Sequence, residues 1–246
     1  MKVYDVIVLR HNEYVRLIDR STGIIRVVTG PTNVVLSSTE EILQPPTAGV
    51  NIDEHTAVLV RNTSDGSLRL VTENKVFFPA ANEEIEEVRR KILLEEHESV
   101  VIKGKDGKFR IVNGSKNENA FFLAPYETLL CMRWSSGIHK EKRDLKITHI
   151  DSRPKFMWYE FGVRTKDNVE LILGVTFFWQ IDNIGQMIRT TDDAPGDICS
   201  HARSMIIQSV SKSSLEAFLD SFNDVVKDSI NDSADPFYIA RGVRIH

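Results

Sequence analysis

Tyr159–Gln180, YEFGVRTKDNVELILGVTFFWQ, is the stretch on which the fold of this chain turns. Val169, Leu171, Leu173, Val175, Phe177 and Trp179 alternate with Glu170, Ile172, Gly174, Thr176, Phe178 and Gln180, so a pleated strand places the first set on one apolar face. Phe161 and Val163 begin a shorter strand ahead of it. Between the two, Lys166-Asp167-Asn168 supplies residues that tolerate the positive φ angles of a tight turn. The stretch reads as a hairpin whose apolar face needs a cover.

The cover follows directly in the chain. Asp192-Asp193-Ala194-Pro195 has the form of a helix start, with acidic residues first and proline in the first turn, and Ile198, Ala202, Met205, Ile206 and Val210 form one stripe of a helix ending near Val210. Ser213-Ser214-Leu215-Glu216 reads as a capping box. Behind it, Leu215, Phe218, Leu219, Phe222, Val225 and Val226 recur at helical spacing and predict one continuous second helix. Tyr238–Ile245 then reads as a last strand. Helices on one face of a small sheet make an α+β domain, placed at 133–246 where the composition shifts.

Outward from that domain, the N-terminal half repeats itself. VIVLRHNEYV (Val6–Val15), NIDEHTAV (Asn51–Val58) and KILLEEHESV (Lys91–Val100) superpose, and each is followed by a glycine turn at Gly23, Gly66 and Gly107. Three residues past each glycine stands an arginine: Arg26, Arg69 and Arg110. Apolar pairs close the units at Val34-Val35, Phe77-Phe78 and Phe121-Phe122, with glutamates beyond at Glu40-Glu41, Glu83-Glu84 and Glu127. A fixed period of this size marks stacked supersecondary modules, each too small to bury its apolar face alone. The modules are expected at 1–47, 48–90 and 91–132, built of short antiparallel strands around hairpins such as Tyr14–Asp19 with Ile24–Val28. One segment conflicts with this pattern. Glu83–Glu96, EEIEEVRRKILLEE, has helical propensity, whereas the repeat requires strand from about Lys91 onward.

These residues carry a family resemblance. The modules, clearest in NEYVRLIDRSTGIIRVVTGP (Asn12–Pro31), resemble the antiparallel β repeats of the major vault protein family. FGVRTKDNVELILGVTFFWQI (Phe161–Ile181), with DAPGDICSHARSMIIQSV and LEAFLDSF after it, is similar to that family's shoulder domain, a band-7 (stomatin–prohibitin–flotillin, SPFH) fold. The resemblance implies mainly β repeats followed by a band-7-like α+β shoulder, and a role as part of the wall of a large hollow assembly. Only three modules are legible, where the family's wall uses many more, and no coiled coil or cap helix follows the shoulder. The expectation is a truncated product or a short vault-like protein that does not close a shell by itself.

Composition narrows the function. The net charge is −4, and no run of five Lys or Arg occurs, since Lys140–Lys146 (KEKRDLK) is broken by Glu141 and Asp144; a surface that tracks nucleic-acid phosphates is not expected. The two cysteines, Cys131 and Cys199, lie far apart, as reduced thiols do. No apolar run reaches the ~20 residues of a membrane span and no signal peptide opens the chain, so the reading is a soluble, cytoplasmic protein, associated in one version with the cytoskeleton.

The seven histidines include no H-x-x-x-H or H-E-x-x-H and the cysteines no C-x-x-C, so no metal site is expected, and His11, His55 and His97 read as surface positions near module turns. No G-x-S-x-G, P-loop or G-x-G-x-x-G is present. Asp192, Asp193 and Asp197 read as helix capping in preference to calcium ligation. Cys199, placed in the first turn of that helix, reads as a buried inert thiol. Trp134, Trp158 and Trp179, with Phe156 and Tyr159, gather around the domain junction: Trp179 as core, Trp134 and Trp158 as junction or interface packing, with a ligand slot the alternative. Asp151–Lys155 marks the entry to the hairpin.

The expected function is therefore a non-enzymatic structural scaffold without cofactor or small-molecule substrate, a homo-oligomer or a subunit of a large cytoplasmic assembly. The alternative is an adaptor docked on a larger cytoskeletal or ciliary complex. A stomatin-type membrane scaffold is a third reading.

Overall fold

The computed structural model describes residues 6–114, 120–230 and 236–246, so residues 1–5 of the first expected module, 115–119 of the third and 231–235 of the C-terminal domain lie outside the described residues. The chain is mainly β, with short antiparallel sheets and a few C-terminal helices. It forms two compact units, one of Met1–Leu93 with Ala120–Glu127 and one of Leu94–Asn119 with Thr128–His246.

The repeat is visible as a repeated pairing pattern. In the first module β1 (Val6–Leu9) pairs with β4 (Thr32–Val35), while β2 (Glu13–Asp19) lies between β3 (Ile25–Thr29) and β5 (Glu40–Ala48). In the second, β6 (Val50–Ile52) pairs with β9 (Lys75–Phe77), and β7 (Thr56–Asn62) lies between β8 (Leu68–Val71) and β10 (Glu83–Arg90). In the third, β11 (Ile92–Leu93) pairs with β14 (Ala120–Phe121), and β12 (Glu98–Lys103) lies between β13 (Phe109–Asn113) and β15 (Thr128–Leu129). Gly23, Gly66 and Gly107 turn the central hairpins at φ of 73°, 72° and 77°, the left-handed region where a Cβ is strained. One acid recurs with the turns: Glu40, Glu83 and Glu127 each accept the backbone N–H three residues earlier, at 3.0, 3.1 and 2.9 Å.

Each early module encloses only a small core, Leu9, Val15, Leu17 and Val34 in the first and Ile52, Val58, Val60, Val71 and Phe77 in the second. Cores of that size do not sustain independent domains, and the modules lean on each other. Arg16 donates to Ala80 O at 3.0 Å and to Glu83 O, and Tyr14 meets Phe78 edge-on with ring centroids 5.9 Å apart. At the next joint Arg89 donates to Leu123 O and Ala124 O at 2.8 and 2.7 Å. The helical propensity of Glu83–Arg90 is overridden. All eight residues form β10, with a bulge between Ile85 and Glu87, because pairing with β7 satisfies a full row of backbone groups beside an aliphatic core.

In the second unit, β16 (Met132–Ser136) and β17 (Lys142–Ile147) form a hairpin, and β18 (His149–Asp151) joins β12. The third module's β12–β13 hairpin thus shares a compact unit with the helices, and Val101 and Ile150 belong to their core. β19 (Lys155–Arg164) and β20 (Glu170–Ile181) form the long hairpin, turned at Asn168 with φ 63°. Its covered face carries Met157, Tyr159, Phe161 and Val163 with Leu173, Val175, Phe177, Trp179 and Ile181, all buried. Among the described residues five helices follow, α1 (Ile184–Thr190), α2 (Ala194–Val210), α3 (Leu215–Asp220), α4 (Phe222–Ser229) and α5 (Phe237–Ala240), and then β21 (Val243–Ile245), which pairs with the end of β20.

α2 begins and ends where its sequence implies, with Ile198, Ala202, Ile206 and Val210 buried. Three local expectations are corrected. The second helix is two: Ser221 departs from helical geometry at φ −128°, ψ 24° between α3 and α4, and its Oγ donates back to Ala217 O at 3.0 Å, the competition that serine offers a helix interior. Phe218 is buried and Phe222 only partly. The cap is Ser214, which accepts Ala217 N at 3.4 Å, in place of a box between Ser213 and Glu216. Tyr238–Ala240 is helical, and the strand starts only at Val243, because Gly242 reverses the chain at φ 68° in a site where a Cβ would lie 2.2 Å from Asn183 O. α1, capped by Asn183 at 2.9 Å from Gln186 N, is an element that carried no stripe long enough to read.

Candidate interaction surface

The uncovered face of the β19–β20 hairpin is apolar where a solvent-facing sheet is normally polar. Phe156 is 73% exposed, Ile172 77%, Phe178 55% and Trp158 46%. The register sets Phe156 across from Phe178, Trp158 across from Thr176 and Gly162 across from Ile172, which makes one contiguous patch. Trp158 lies over Gly174: a Cβ built there would be 2.2 Å from the indole, so the glycine is what lets the ring lie flat on the sheet. Arg164 and Glu170, 3.5 Å apart, put both signs of charge at the turn end. Patches of this kind mark interaction sites.

The two edges of the hairpin differ. Outside β19 the 137–140 segment closes the edge: Glu160 N donates to Ile138 O at 3.1 Å, His139 Nδ1 lies 2.8 Å from Glu160 O, and Lys140 Nζ donates to Trp158 O at 3.3 Å. On the far side of β20, β21 pairs with Trp179–Ile181 and His246 N reaches Phe178 O at 2.8 Å. Among the described residues no strand pairs with the remaining length from Glu170 to Phe177 on that side. An open edge beside an apolar face is a template for adding a strand.

Asp193 ties α2 to the β16–β17 hairpin. This buried carboxylate caps α2 by accepting Gly196 N at 3.2 Å, and it accepts Ser135 N at 2.8 Å and Ser135 Oγ at 2.6 Å from β16. Arg143 Nε on β17 lies 3.2 Å away and its Nη2 2.7 Å from Asp192, which holds the guanidinium above its ordinary range. Asp197 pairs with Arg241 at 3.2 Å. Of the three aspartates read as capping residues, Asp193 alone is the cap, while Asp192 and Asp197 pair with Arg143 and Arg241. No group of three His, Cys, Asp or Glu side chains suited to a metal occurs among the described residues.

The other singled-out side chains are scattered. His11 and His55 are exposed, and His97 is partly buried, 3.3 Å from Glu95. Cys131 is exposed. Cys199 lies in the second turn of α2, beyond reach of its N-terminal amides, and burial pushes its thiol up to about 12. Its Sγ contacts Met157 Sδ at 3.9 Å. Trp134 is a correction: at 4% exposed it belongs to the same core as Trp179, their rings 6.0 Å apart, and only Trp158 faces outward. Phe156 stood in the aromatic cluster read from the sequence, whereas the exposed Ile172 and Phe178 escaped that reading. Their signal was present, since the off-phase positions of β20 include Ile172 and Phe178 where polar residues are the rule.

Among the described residues no helix is long and apolar enough to cross a membrane. No protein-family model matches the chain, and no characterised protein is significantly similar to it.

Proposed function

We propose that this protein is a non-enzymatic structural scaffold whose copies associate laterally through the β19–β20 hairpin, as parts of a large cytoplasmic assembly of the vault type. The observation that carries the reading is the exposed apolar patch of Phe156, Trp158, Ile172 and Phe178 beside the unpaired length of β20. A second copy suits it because an antiparallel strand edge is self-complementary about a two-fold axis, and because Arg164 and Glu170 offer each sign to the other copy. The order hairpin, helices, returning strand over Lys155–Ile245 supports reading the second unit as band-7-like, and the triplicated pairing pattern supports vault-like repeats.

Exposed ion pairs such as Arg69–Glu83 at 2.7 Å contribute only about 0–1 kcal/mol each, so the apolar patch and not the module charges sets the strength of association. Sedimentation velocity across a dilution series tests this. Weak, concentration-dependent self-association is expected, abolished by Ile172→Lys and little affected by salt. A strict monomer at all concentrations overturns the reading in favour of an adaptor docked on a larger complex.

A further inference from the structure

Lys155 occupies a position that the strand pattern reserves for an apolar residue. β19 sends Lys155, Met157, Tyr159, Phe161 and Val163 to the covered face, and Lys155 stands directly across from Trp179 in the hairpin register. Its Nζ lies 5.7 Å from the Trp179 ring and 5.9 Å from the Trp134 ring, between indoles tilted 58° to one another. Among the described residues it has no hydrogen bond and no ion pair, only these two ring contacts. The carboxylate that attracts it, Asp151, is already held in a fork by Arg153 at 2.8 and 3.1 Å. Burial depresses the Lys155 amine below its ordinary range, the mark of a cation short of partners.

One of the two indoles also has an unmet donor. Trp134 is buried, and its indole N–H has no acceptor. Both indoles and Lys155 line a cavity of about 310 Å³, with Lys140 and Ser135 also on its wall. Ser135 Oγ donates to Asp193 and Ser136 Oγ, also on the wall, to Asp144, while Lys140 donates to Gly137 O and Trp158 O and keeps one N–H in hand. No carboxylate lines the cavity. The wall thus carries two ammonium groups, no carboxylate and two indoles, so its charged character is that of a donor. An acceptor-only group on a flat apolar body fits that chemistry, and the volume lies at the small end for ligand pockets, room for one or two rings.

We propose that the Trp134–Lys155–Trp179 cavity binds a small planar aromatic carboxylate, its oxygens accepting from Lys155 Nζ and its ring lying against the indoles. The proposal does not rest on the proposed self-association, although Phe156 of the exposed patch also lines the cavity.

The test uses the full chain and 1-naphthoate as probe, followed by tryptophan fluorescence and by the indole N–H resonances in ¹⁵N-labelled protein. Saturable binding is expected with a dissociation constant on the order of 0.1–1 mM for a ligand of this size, with a shift of the Trp134 N–H resonance. The neutral isostere 1-naphthamide should bind ~10-fold more weakly or worse, as should 1-naphthoate to Lys155→Met, which keeps the aliphatic stem. Inorganic phosphate, an anion without a ring, should not compete. Absence of saturation, equal affinity for acid and amide, or effective competition by phosphate overturns the proposal and leaves Lys155 as an internal cation held by two indoles. If Lys155→Met fails to fold by circular dichroism, the acid-to-amide preference of the unmodified protein decides.

Discussion

Replacing Asp193 with alanine tests whether helix and hairpin are joined by one carboxylate. The substitution removes an N-cap, worth about 1 kcal/mol. It also leaves Ser135 N and Ser135 Oγ, both in a buried residue, without their acceptor at 2.8 and 2.6 Å. A buried donor stripped of its partner costs about 1–3 kcal/mol, so with two such donors and the cap the expected loss is roughly 3–7 kcal/mol. Ser135→Ala removes only the Oγ bond and should lose about 1 kcal/mol, with a coupling of similar size in the double variant. All three tryptophans lie between Trp134 and Trp179, so their fluorescence during urea unfolding reports this unit alone. A loss under about 1 kcal/mol for Asp193→Ala, or strict additivity with Ser135→Ala, would show that cap and strand are held independently.

Three further outcomes are expected. Phe177→Ala should destabilise the same transition by about 3–5 kcal/mol, as for a fully buried ring, whereas Phe156→Ala should leave it within about 0.5 kcal/mol; equal effects would mean that the two faces are misassigned. In the first module Arg26 donates to Glu40 and holds its carboxyl at about 2, below its ordinary 4.5, so the stability this contributes is complete above pH 4.5 and is lost as pH falls toward 2. Glu40→Gln should therefore flatten the acid limb of far-UV circular dichroism melts over that window, and superimposable acid limbs would rule out the linkage. Native protein should react with a thiol reagent at exposed Cys131 only, Cys199 following on unfolding; rapid reaction of both thiols would show that the α2 interface opens.

Period-two patterning and turn chemistry were legible because they are local. Gly23, Gly66, Gly107 and Asn168 announce their hairpins through the backbone conformations they permit, and Asp193 with Pro195 announces α2. What escaped depends on distant partners. Glu83–Arg90 is helical by propensity and a strand by its pairing with β7, and the stripe from Leu215 to Val226 gives no sign that Ser221 breaks it. Gly242 ends the helical turn before β21 at positive φ, where any side chain would run into Asn183 O, a neighbour nearly sixty residues away that composition does not reveal. The candidate surface was half legible: Ile172 and Phe178 stand in the off-phase, but only the register with Phe156 and Trp158 assembles them into a patch. Lys155 is the opposite case, a lone lysine in the string whose significance comes from Trp134 on another hairpin.

The apolar residues on both faces of β20 also shape how the chain is made. Leu171–Trp179 leaves the ribosome before any of α2, whose last turn ends at Val210, and at ~5–20 residues per second the hairpin spends seconds with neither face covered. A strand with high β-propensity, one open edge and few charges is prone to pair with a neighbouring nascent copy in that interval. On the proposed self-association, copies translated side by side on one polysome would then meet through β20 before their helices close, and pairing would begin during synthesis.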